Sequence, residues 1–461
     1  MSLRRTHIAM LEGASAGHVL GRTTAGTGPV EELTGAQVRG LALSTPEDAA
    51  IVASVEAMSR SLNGLPPEAM LAAPWQVERG STLLTVTSSA KRVVSSTGLL
   101  ATVAVNTPAY SWATGRRQLL IEPAATNLML QSEALNTTWT KVRMTVTADA
   151  TTAPDGATTA DKFVVDTSVT TSHYIRQSAL PVTTGVAMTL SAFLKAGELS
   201  FVRLQLGAGS STYFVNAYAT VDLSTGTIAN SGDGVTRTSV TQLANGWYRV
   251  SITAVPIATG TSTVDILAMS SATNNLFTGN GVDGFWLWGA QLELGDVASS
   301  YIPTTTAAVT RSADDAQLTT AARTMLIGLG ATLVLRGVAP SALSPPVLLG
   351  GDAVAMAEIT SGGALRLSDG TTTLDVTAGS GAVGTGFGAA LSRGPGPLRR
   401  AALNGGAVAT DAHDWWSTTP TTLRIGGASA GPTGPVRIDE ISIWPWVAGA
   451  AATPLLARAW S

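Results

Sequence analysis

The stretch GRRQLLIEPAATNLMLQSEALNTTW, residues 115–139, separates two parts of the sequence that differ in character. Before it lies a leader rich in Gly and Thr that contains one helical pattern. After it, short apolar runs alternate with turn residues as far as the C-terminal region. Such runs are typical of β-strands. The stretch therefore marks the boundary between a thin leader and a β-rich body.

Composition favours a mainly β fold. Charged residues make up 13% of the 461 residues, against about 25% in an average globular domain. Long amphipathic helices need charged outer faces, whereas short strands and tight turns tolerate the 48 Gly and the many Ser and Thr. A chain of this length predicts two or three domains. Its 45% apolar content indicates that some apolar surface is buried between subunits.

Charge and cysteine content exclude several classes of protein. The net charge of −3 provides no basic field for a phosphate backbone, so no nucleic-acid binding is expected. The absence of Cys excludes disulfides, thiolate metal sites and Cys catalysis. No apolar run reaches the roughly 20 residues that span a bilayer, so no membrane insertion is expected. The N-terminus lacks the apolar core of a signal peptide, which predicts synthesis in a bacterial cytoplasm.

Residues 1–43 contain too little side-chain surface to order themselves. We expect this leader to lie along a partner, with a disordered tail as the alternative. Residues 44–74 begin with the helix-start signal STPED, and the helix is expected to run to about Leu62. Its apolar residues are spaced four, three and four apart, which predicts an oligomerising seam, with a helix packed on its own chain as the alternative. The seam residues are Ile51, Val55, Met58 and Leu62.

The remaining sequence predicts three β segments: a connector at 75–122 and two sandwiches at 123–315 and 322–461. In the first sandwich, Val202, Leu204 and Leu206 are expected on one side of a strand, with the residues between them on the other. Residues 381–400 are rich in Gly and predict a loop. The predicted fold class is mainly β, with tandem antiparallel β-sandwiches (jelly rolls) after an extended N-terminal anchor with one short helix.

Several segments resemble the carbohydrate-binding-type jelly roll of tailed-phage fibre and spike proteins. They are LLIEPAATNLMLQSEAL with a Trp a few residues on, HYIRQSALPVTTGVAMTLSAFLKAGELSFVRLQL, FVNAYATVDLSTGTI, NGWYRVSITAV and FWLWGAQLELGDVASSYIPTTTAAVTRSAD. The C-terminal VRIDEISIW is similar to the closing strands of concanavalin A-like, laminin-G-type sandwiches. The leader string LGRTTAGTGPVEELTGAQVRGL resembles segments near the virion-attached end of such proteins.

The resemblance implies a homotrimer on a virion surface, attached to capsid or tail proteins through residues 1–43. It also implies binding to a host-surface polysaccharide, either capsule or lipopolysaccharide. The Ala-, Gly-, Arg- and Thr-rich composition suits a GC-rich host, which also fits the head spike of a gene transfer agent. Capsid spike and tail fibre both remain open.

Catalytic signals are weak. Glycan cleavage usually needs two carboxylates that flank the scissile bond, and adjacent acids on a strand, such as Asp439 and Glu440, point to opposite faces. One cluster combines acids, His413 and aromatic rings: Asp411, Asp414, Trp415 and Trp416. It is open to three interpretations: a polar loop with two anchoring Trp, a ligand-binding loop, or a catalytic site. We predict no enzyme and no cofactor, although sandwiches of both kinds allow a structural Ca²⁺.

Glycan binding is the stronger interpretation. Sugars stack on aromatic rings while Arg, Gln and Asp bind their hydroxyl groups. Trp, at 11 residues, outnumbers Phe and Tyr. Trp286 and Trp288 are assigned to packing, and core or edge packing is the alternative for every other candidate. The candidate glycan-binding residues are Tyr174, Arg176, Phe201, Arg203, Gln205, Trp247, Arg249, Asp411, Asp414, Trp415 and Trp416.

These observations together predict a virion fibre or spike protein that attaches a phage-like particle to host polysaccharide without cleaving it. A decoration protein of the capsid or tail without glycan affinity is one alternative. A polysaccharide depolymerase is another, although its carboxylate pair is not evident.

Overall fold

A computed structural model describes residues 83–444 and two short strands near the N-terminus, Val19–Gly21 (β1) and Glu31–Leu33 (β2), which pair antiparallel. Positions 450, 453 and 457 are also described, and the gaps within 83–444 are 209–211, 328–329, 342–343, 345, 353–354, 378, 380–383, 395, 417–418 and 429–430. Antiparallel strands dominate, which confirms the prediction of a mainly β fold. The predicted helix at 44–62, with Ile51, Val55, Met58 and Leu62, lies outside the described residues.

The middle of the chain forms a first sandwich of two six-stranded antiparallel sheets. Sheet I contains, in spatial order, β10 (Met144–Thr152), β11 (Thr158–Val165), β20 (Gly284–Leu294), β13 (Met188–Ala196), β18 (Trp247–Ala254) and β17 (Val235–Gln242). Sheet II contains β16 (Thr227–Ser231), β15 (Tyr218–Asp222), β14 (Phe201–Leu206), β19 (Gly260–Met269), β12 (His173–Val182) and β9 (Thr140–Val142). A 3-10 turn, Ala244–Gly246, precedes β18.

A second sandwich is built from two seven-stranded antiparallel sheets. Sheet III contains β27 (Thr373–Val376), β26 (Leu365–Ser368), β25 (Ala355–Ile359), β24 (Val347–Gly350), β31 (Arg424–Ile425), β22 (Asp315–Leu318) and β3 (Leu84–Thr87). Sheet IV contains β30 (Ala409–Asp411), β29 (Arg399–Leu403), β28 (Gly386–Arg393), β23 (Ala331–Val338), β32 (Val436–Trp444), β7 (Gln118–Ile121) and β6 (Tyr110–Ser111).

The predicted connector contributes strands to the second sandwich. β3 closes one edge of sheet III, while β6 and β7 close one edge of sheet IV. Between them, β4 (Lys91–Val94) and β5 (Leu100–Val103) form a separate hairpin. The domain boundaries at 75–122, 123–315 and 322–461 stay predictions, but the hydrogen bonding joins the first of these segments to the last. The first sandwich therefore lies, in sequence, between strands that belong to the second.

Alternation of residue type explains why these segments are strands. On β14, Val202, Leu204 and Leu206 fill the core between sheets I and II, as the sequence predicted. The loop predicted within 381–400 is wrong in part, because β28 is a strand of sheet IV, placed between β23 and β29. Phe387 and Leu391 alternate into the core there, and the small residues between them hide the period.

A cluster of buried charged residues lies where the chain enters and leaves the first sandwich. Asp314 donates its backbone N–H to the Glu122 carbonyl (3.0 Å), and Glu122 donates its backbone N–H to the Asp314 carboxylate (2.7 Å). Lys91 contacts both carboxylates, and Arg311 lies 3.5 Å from Glu122. Two short strands, β8 (Ala125–Asn127) and β21 (Val309–Arg311), then pair with each other. The two ends of the first sandwich are thus bonded directly.

One α-helix, α1 (Thr320–Ile327), is present in the described part of the chain, and it packs Ala322 and Leu326 into the core of the second sandwich. Within the residues that the structure describes, no helix combines the length and the apolar character that crossing a membrane requires.

Candidate functional site

Five candidate residues lie together on one surface, the outer face of sheet II. Tyr174 and Arg176 belong to β12, while Phe201, Arg203 and Gln205 belong to β14. β19 lies between these two strands and pairs with both. Their neighbours along each strand fill the core, so these five side chains point away from it. The structure thus unites two groups that the sequence could only propose separately.

The strand register places one row of side chains across this face. Leu267 of β19 is directly opposite both Tyr174 and Arg203, and Arg203 is directly opposite Thr220 of β15. Side chains at such opposite positions start about 4.5–5.5 Å apart and contact one another. Thr220 and Leu267 were not among the predicted residues, because only the pairing of strands reveals them.

The next row contains an ion pair. Asp265 of β19 is opposite Arg176 and Gln205, and Gln205 is opposite Tyr218 of β15. Arg176 donates from Nε and Nη2 to the two carboxylate oxygens of Asp265, at 2.6 and 2.7 Å. These hydrogen bonds raise the pKa of Arg176. The guanidinium also lies 4.9 Å from the centre of the Tyr174 ring. Arg176 is therefore fixed in place and its charge is balanced.

Arg203 is held differently. Its Nε donates to the Thr220 hydroxyl at 3.1 Å, and its guanidinium lies 4.2 Å from the centre of the Tyr218 ring. Burial lowers the pKa of Arg203. The neighbouring Gln205 donates from Nε2 to the Gly207 carbonyl at 2.8 Å. Both side chains are therefore oriented before any ligand arrives, which lowers the entropy cost of binding.

β19 lies between β12 and β14 in the middle of this face. Its residues Asp265, Leu267 and Met269 are buried although they point outward from the core. Tyr174 on β12 and Phe201 on β14 stand at either side and are half-buried. We call this surface the β19 trough. Aromatic rings beside fixed hydrogen-bonding groups are the combination that binds sugar rings.

Trp247 corrects one expectation from the sequence, because its ring is not exposed. It lies on the outer face of sheet I, where it is 0% exposed and packs in a cluster with Phe193, Trp288 and Tyr301. Its indole nitrogen donates to the Thr152 carbonyl at 3.0 Å. A fully buried ring cannot stack on a sugar in this arrangement.

A cover of connecting chain encloses this outer face of sheet I. Leu100 of β5 packs into the Trp247 cluster and donates its N–H to the Pro154 carbonyl at 2.9 Å. Arg92 of β4 forms a β-bridge with Tyr301, and its guanidinium lies 5.6 Å from the Trp288 ring. The cover, formed by the β4–β5 hairpin and the segment around Tyr301, therefore explains the burial of Trp247.

Arg249 lies under the same cover. It donates from Nη1 to the Ser299 carbonyl at 2.7 Å and from Nη2 to the Ser191 hydroxyl at 3.0 Å. Its guanidinium is 5.3 Å from the Phe193 ring, and burial lowers the pKa of Arg249. These contacts tie Arg249 to the packing of this face, although the residue is only partly buried.

Trp286 packs against the same cluster, as the sequence assigned it, but it is only partly buried, on the same face as Trp288. It is directly opposite Lys162 on one side and Lys195 on the other, with the Lys162 ammonium 5.5 Å from its ring. Trp286 therefore offers an aromatic surface outside the β19 trough.

The two Trp of the predicted acidic loop are core residues of the second sandwich. Trp415 and Trp416 are buried in its hydrophobic cluster, with ring centres 6.2 Å apart and nearly perpendicular planes. Asp411 accepts hydrogen bonds from Arg399 at 3.0 and 2.5 Å, and Asp414 lies 3.5 Å from Arg393. This geometry matches the interpretation of a polar loop anchored by two Trp.

No group of three or more His, Asp or Glu side chains that could hold a metal ion occurs in the described residues. Two aspartates whose carboxylates could each contact a cation instead accept hydrogen bonds from threonines. Asp352 accepts hydrogen bonds from the side chains and backbones of Thr421 and Thr422, and these lower its pKa to about 2. Asp369 accepts the corresponding bonds from two threonines of its own turn.

Comparisons with known proteins give matches to solved structures at low TM-scores and low sequence identities. No protein-family model matches the chain, and no curated protein matches it. Among solved structures, the CBM40 of Ruminococcus gnavus IT-sialidase bound to α2,3 sialyllactose is 17% identical, with a TM-score of 0.25, and the match covers 30% of this chain and 87% of that one. Trypanosoma rangeli sialidase is 12% identical, with a TM-score of 0.26 and coverage of 64% and 60%.

A third similar structure is the CBM22-1–CBM22-2 tandem of Paenibacillus barcinonensis Xyn10C. It is 11% identical, has a TM-score of 0.22 and is matched over 68% of this chain and 96% of that one. At these TM-scores the similarities carry no argument about the site or the function of this chain.

Proposed function

We propose that this protein binds glycans non-covalently through the β19 trough. The observation that carries the proposal is the convergence of Tyr174, Phe201 and Tyr218 with Arg176, Arg203 and Gln205 on one outer face. The aromatic rings supply stacking surfaces, and the fixed polar groups supply hydrogen bonds to hydroxyl groups.

We further propose that the glycan is a host-surface polysaccharide, capsule or lipopolysaccharide, and that the protein is a fibre or spike on the surface of a phage-like particle. The sequence resemblance of residues 115–311 supports this role, with the leader 1–43 as the attachment to capsid or tail proteins. A homotrimer would present several troughs to a repeating polymer, and multivalency would raise the avidity of a weak site. Attachment and trimer formation depend on residues outside the described part of the chain.

Binding without cleavage is the chemistry that this face supports. Glycan hydrolysis usually needs two carboxylates on either side of the scissile bond. The described strands of sheet II bring Asp265 and Asp222 to the outer face. Asp265 is engaged by Arg176 through both oxygens, and Asp222 accepts hydrogen bonds from Ser224 at 2.9 and 2.6 Å. Neither acid is placed to act as a general acid or a nucleophile.

The test is retention of the full chain on capsular polysaccharide and lipopolysaccharide purified from candidate hosts, followed by sizing of the polymer. We expect retention with unchanged polymer length. Tyr174→Ala should weaken retention at least about tenfold, because aromatic contacts in binding sites are commonly worth more than 1.4 kcal/mol. Trp286→Ala is the matched control, since it removes a partly exposed ring from the other sheet.

The outcomes separate the three functions. Equal loss of retention in both variants would argue against the β19 trough as the site. Shortened polymer would indicate a depolymerase. Particle attachment without retention on any polysaccharide would favour the alternative function, a structural decoration protein.

A further inference from the structure

We propose that the β19 trough selects glycans that carry a carboxylate group, and that Arg203 binds this group. The inference rests on the proposed glycan binding and specifies the class of sugar. It follows from a difference between two arginines on this face: Arg176 forms an ion pair with a carboxylate, and Arg203 does not.

The two arginines of the face differ in their pairing with carboxylates. Arg176 is neutralised by its bidentate bond to Asp265. In the described part of the chain, Arg203 has no carboxylate at ion-pair distance, and its polar contact is the neutral Thr220 hydroxyl. Asp222, two residues from Thr220, directs its carboxylate to the backbone and hydroxyl of Ser224. The Arg203 guanidinium is therefore the cation of this face that no carboxylate of the described residues pairs with directly.

The contacts of Arg203 also decide which of its atoms can bind a ligand. Thr220 occupies Nε, and the Tyr218 ring lies against the guanidinium at 4.2 Å. The two terminal amino groups, Nη1 and Nη2, are not hydrogen-bonded to any described residue. Two parallel N–H donors match the two oxygens of a carboxylate, which is the geometry of bidentate recognition.

Burial strengthens this preference. The Arg203 residue is 8% exposed, and water screens its charge less than that of an exposed side chain. Phe201 and Tyr174 stand on either side of the same surface, where they can stack on the ring that bears the carboxylate. A single guanidinium balances one negative charge, which is the charge of a sugar acid. A phosphate monoester carries about −1.5 to −2 at pH 7 and would gain from a further unpaired cation, which the described strands of this face do not supply.

The experiment compares matched polymers on the full chain. The probes are polygalacturonate, alginate and hyaluronate, each beside the same polymer after chemical reduction of its carboxylates to primary alcohols. Retention is measured by affinity electrophoresis at low and moderate salt. For at least one pair, we expect the acidic form to bind about tenfold more tightly than the reduced form, because hydrogen bonds between charged groups are the stronger class.

Variants assign the effect to Arg203. We expect Arg203→Gln to lower the ratio of acidic-form to reduced-form binding from about ten to about one. Arg203→Lys should keep part of the preference, since it retains the charge and loses the paired donors. Arg143→Gln is the control, because it removes the same charge from an exposed position of the first sandwich. Thermal unfolding of each variant verifies that it is folded.

Each result decides between the two claims. Equal binding of acidic and reduced forms, with both lost in Tyr174→Ala, would overturn the carboxylate inference and leave glycan binding in place. An equal loss of preference in Arg203→Gln and Arg143→Gln would also overturn it, since net charge alone would then be responsible. Retention of a host polysaccharide without retention of any acidic probe would contradict it too. No retention on any polysaccharide would overturn the proposed function itself.

Discussion

The two outer faces of the first sandwich have similar residues but differ in what covers them. Each belongs to a six-stranded sheet and carries an arginine that contacts an aromatic ring: Arg249 beside Phe193 on sheet I, and Arg203 beside Tyr218 on sheet II. On sheet I, Leu100 and the segment around Tyr301 enclose the face. On sheet II, Tyr174 and other aromatic side chains stay partly exposed. Both arginines are thus held by packing, and the two faces differ in their aromatic rings, because Trp247 is fully buried while Tyr174 is partly exposed.

The largest expected effect is on the covered face. Trp247→Ala should lower the free energy of unfolding by about 3–5 kcal/mol, because it removes a large ring from a filled cluster and leaves a cavity. Chemical denaturation of the full chain measures this. Retention on polysaccharide, normalised to the folded fraction, should not change. A stability close to that of the wild type would show that the cover is loose and that the two faces differ less than the contacts indicate.

The next effect concerns the acid that holds the cover. Ser300, next to Tyr301, donates its N–H and hydroxyl to Glu122 at 2.8 and 2.7 Å. Burial alone would raise the pKa of Glu122, but Arg311, Lys91 and Ser300 outweigh it and lower the pKa from 4.5 to about 2. A lowered carboxyl pKa contributes stability above the unfolded value of 4.5, and this contribution is lost as the pH falls from 4.5 towards 2.

Glu122→Gln should therefore destabilise the protein at pH 7 by about 1.5–3 kcal/mol, the range for hydrogen bonds to a charged group. It should also flatten the dependence of unfolding free energy on pH between 4.5 and 2. Denaturation curves at pH 7, 4 and 3 measure both effects. Glu198→Gln serves as the control, because this exposed acid pairs with Lys162 on the surface. Parallel pH profiles for the wild type and Glu122→Gln would exclude this role for Glu122.

The smallest effect on stability is expected on the open face. Tyr174→Ala should change the free energy of unfolding by less than about 1 kcal/mol, since a half-buried side chain outside the core leaves no cavity behind. The measurement compares the changes in the free energy of unfolding caused by Tyr174→Ala and Trp247→Ala under identical conditions. A loss comparable to that of Trp247→Ala would mean that Tyr174 is a structural residue and that the two faces are alike.

The sequence predicted the strands better than it predicted what covers them. Alternation along β14 identified correctly which side chains leave the core, and this was sufficient to find Arg203 and Gln205. It could not distinguish Trp247 from Tyr174, because Trp247 is enclosed by Leu100 and Tyr301, which are far away in the chain. Such long-range contacts produce no periodic pattern of apolar residues in the sequence near either residue.

Two other misses have local causes. β28 was predicted as loop because Gly and Ala fill half of its positions, so the alternation of Phe387 and Leu391 is diluted. Thr220 and Asp265 were missed because nothing in their own strands distinguishes them from ordinary polar residues. They lie on the same outer face as Arg203 through the pairing of β15 and β19 with β14, and that register is not encoded in either segment alone.

The direct bonding between the two ends of the first sandwich bears on how such a protein changes over evolutionary time. A backbone hydrogen bond joins Glu122 and Asp314, so the chain enters and leaves the first sandwich at adjacent points, next to β7 and β22. Insertions whose ends lie close together are readily accommodated in proteins. A recombination event that substitutes another module with adjacent ends would preserve the seven-stranded sheets, and the lineage could acquire a new specificity without rebuilding its scaffold.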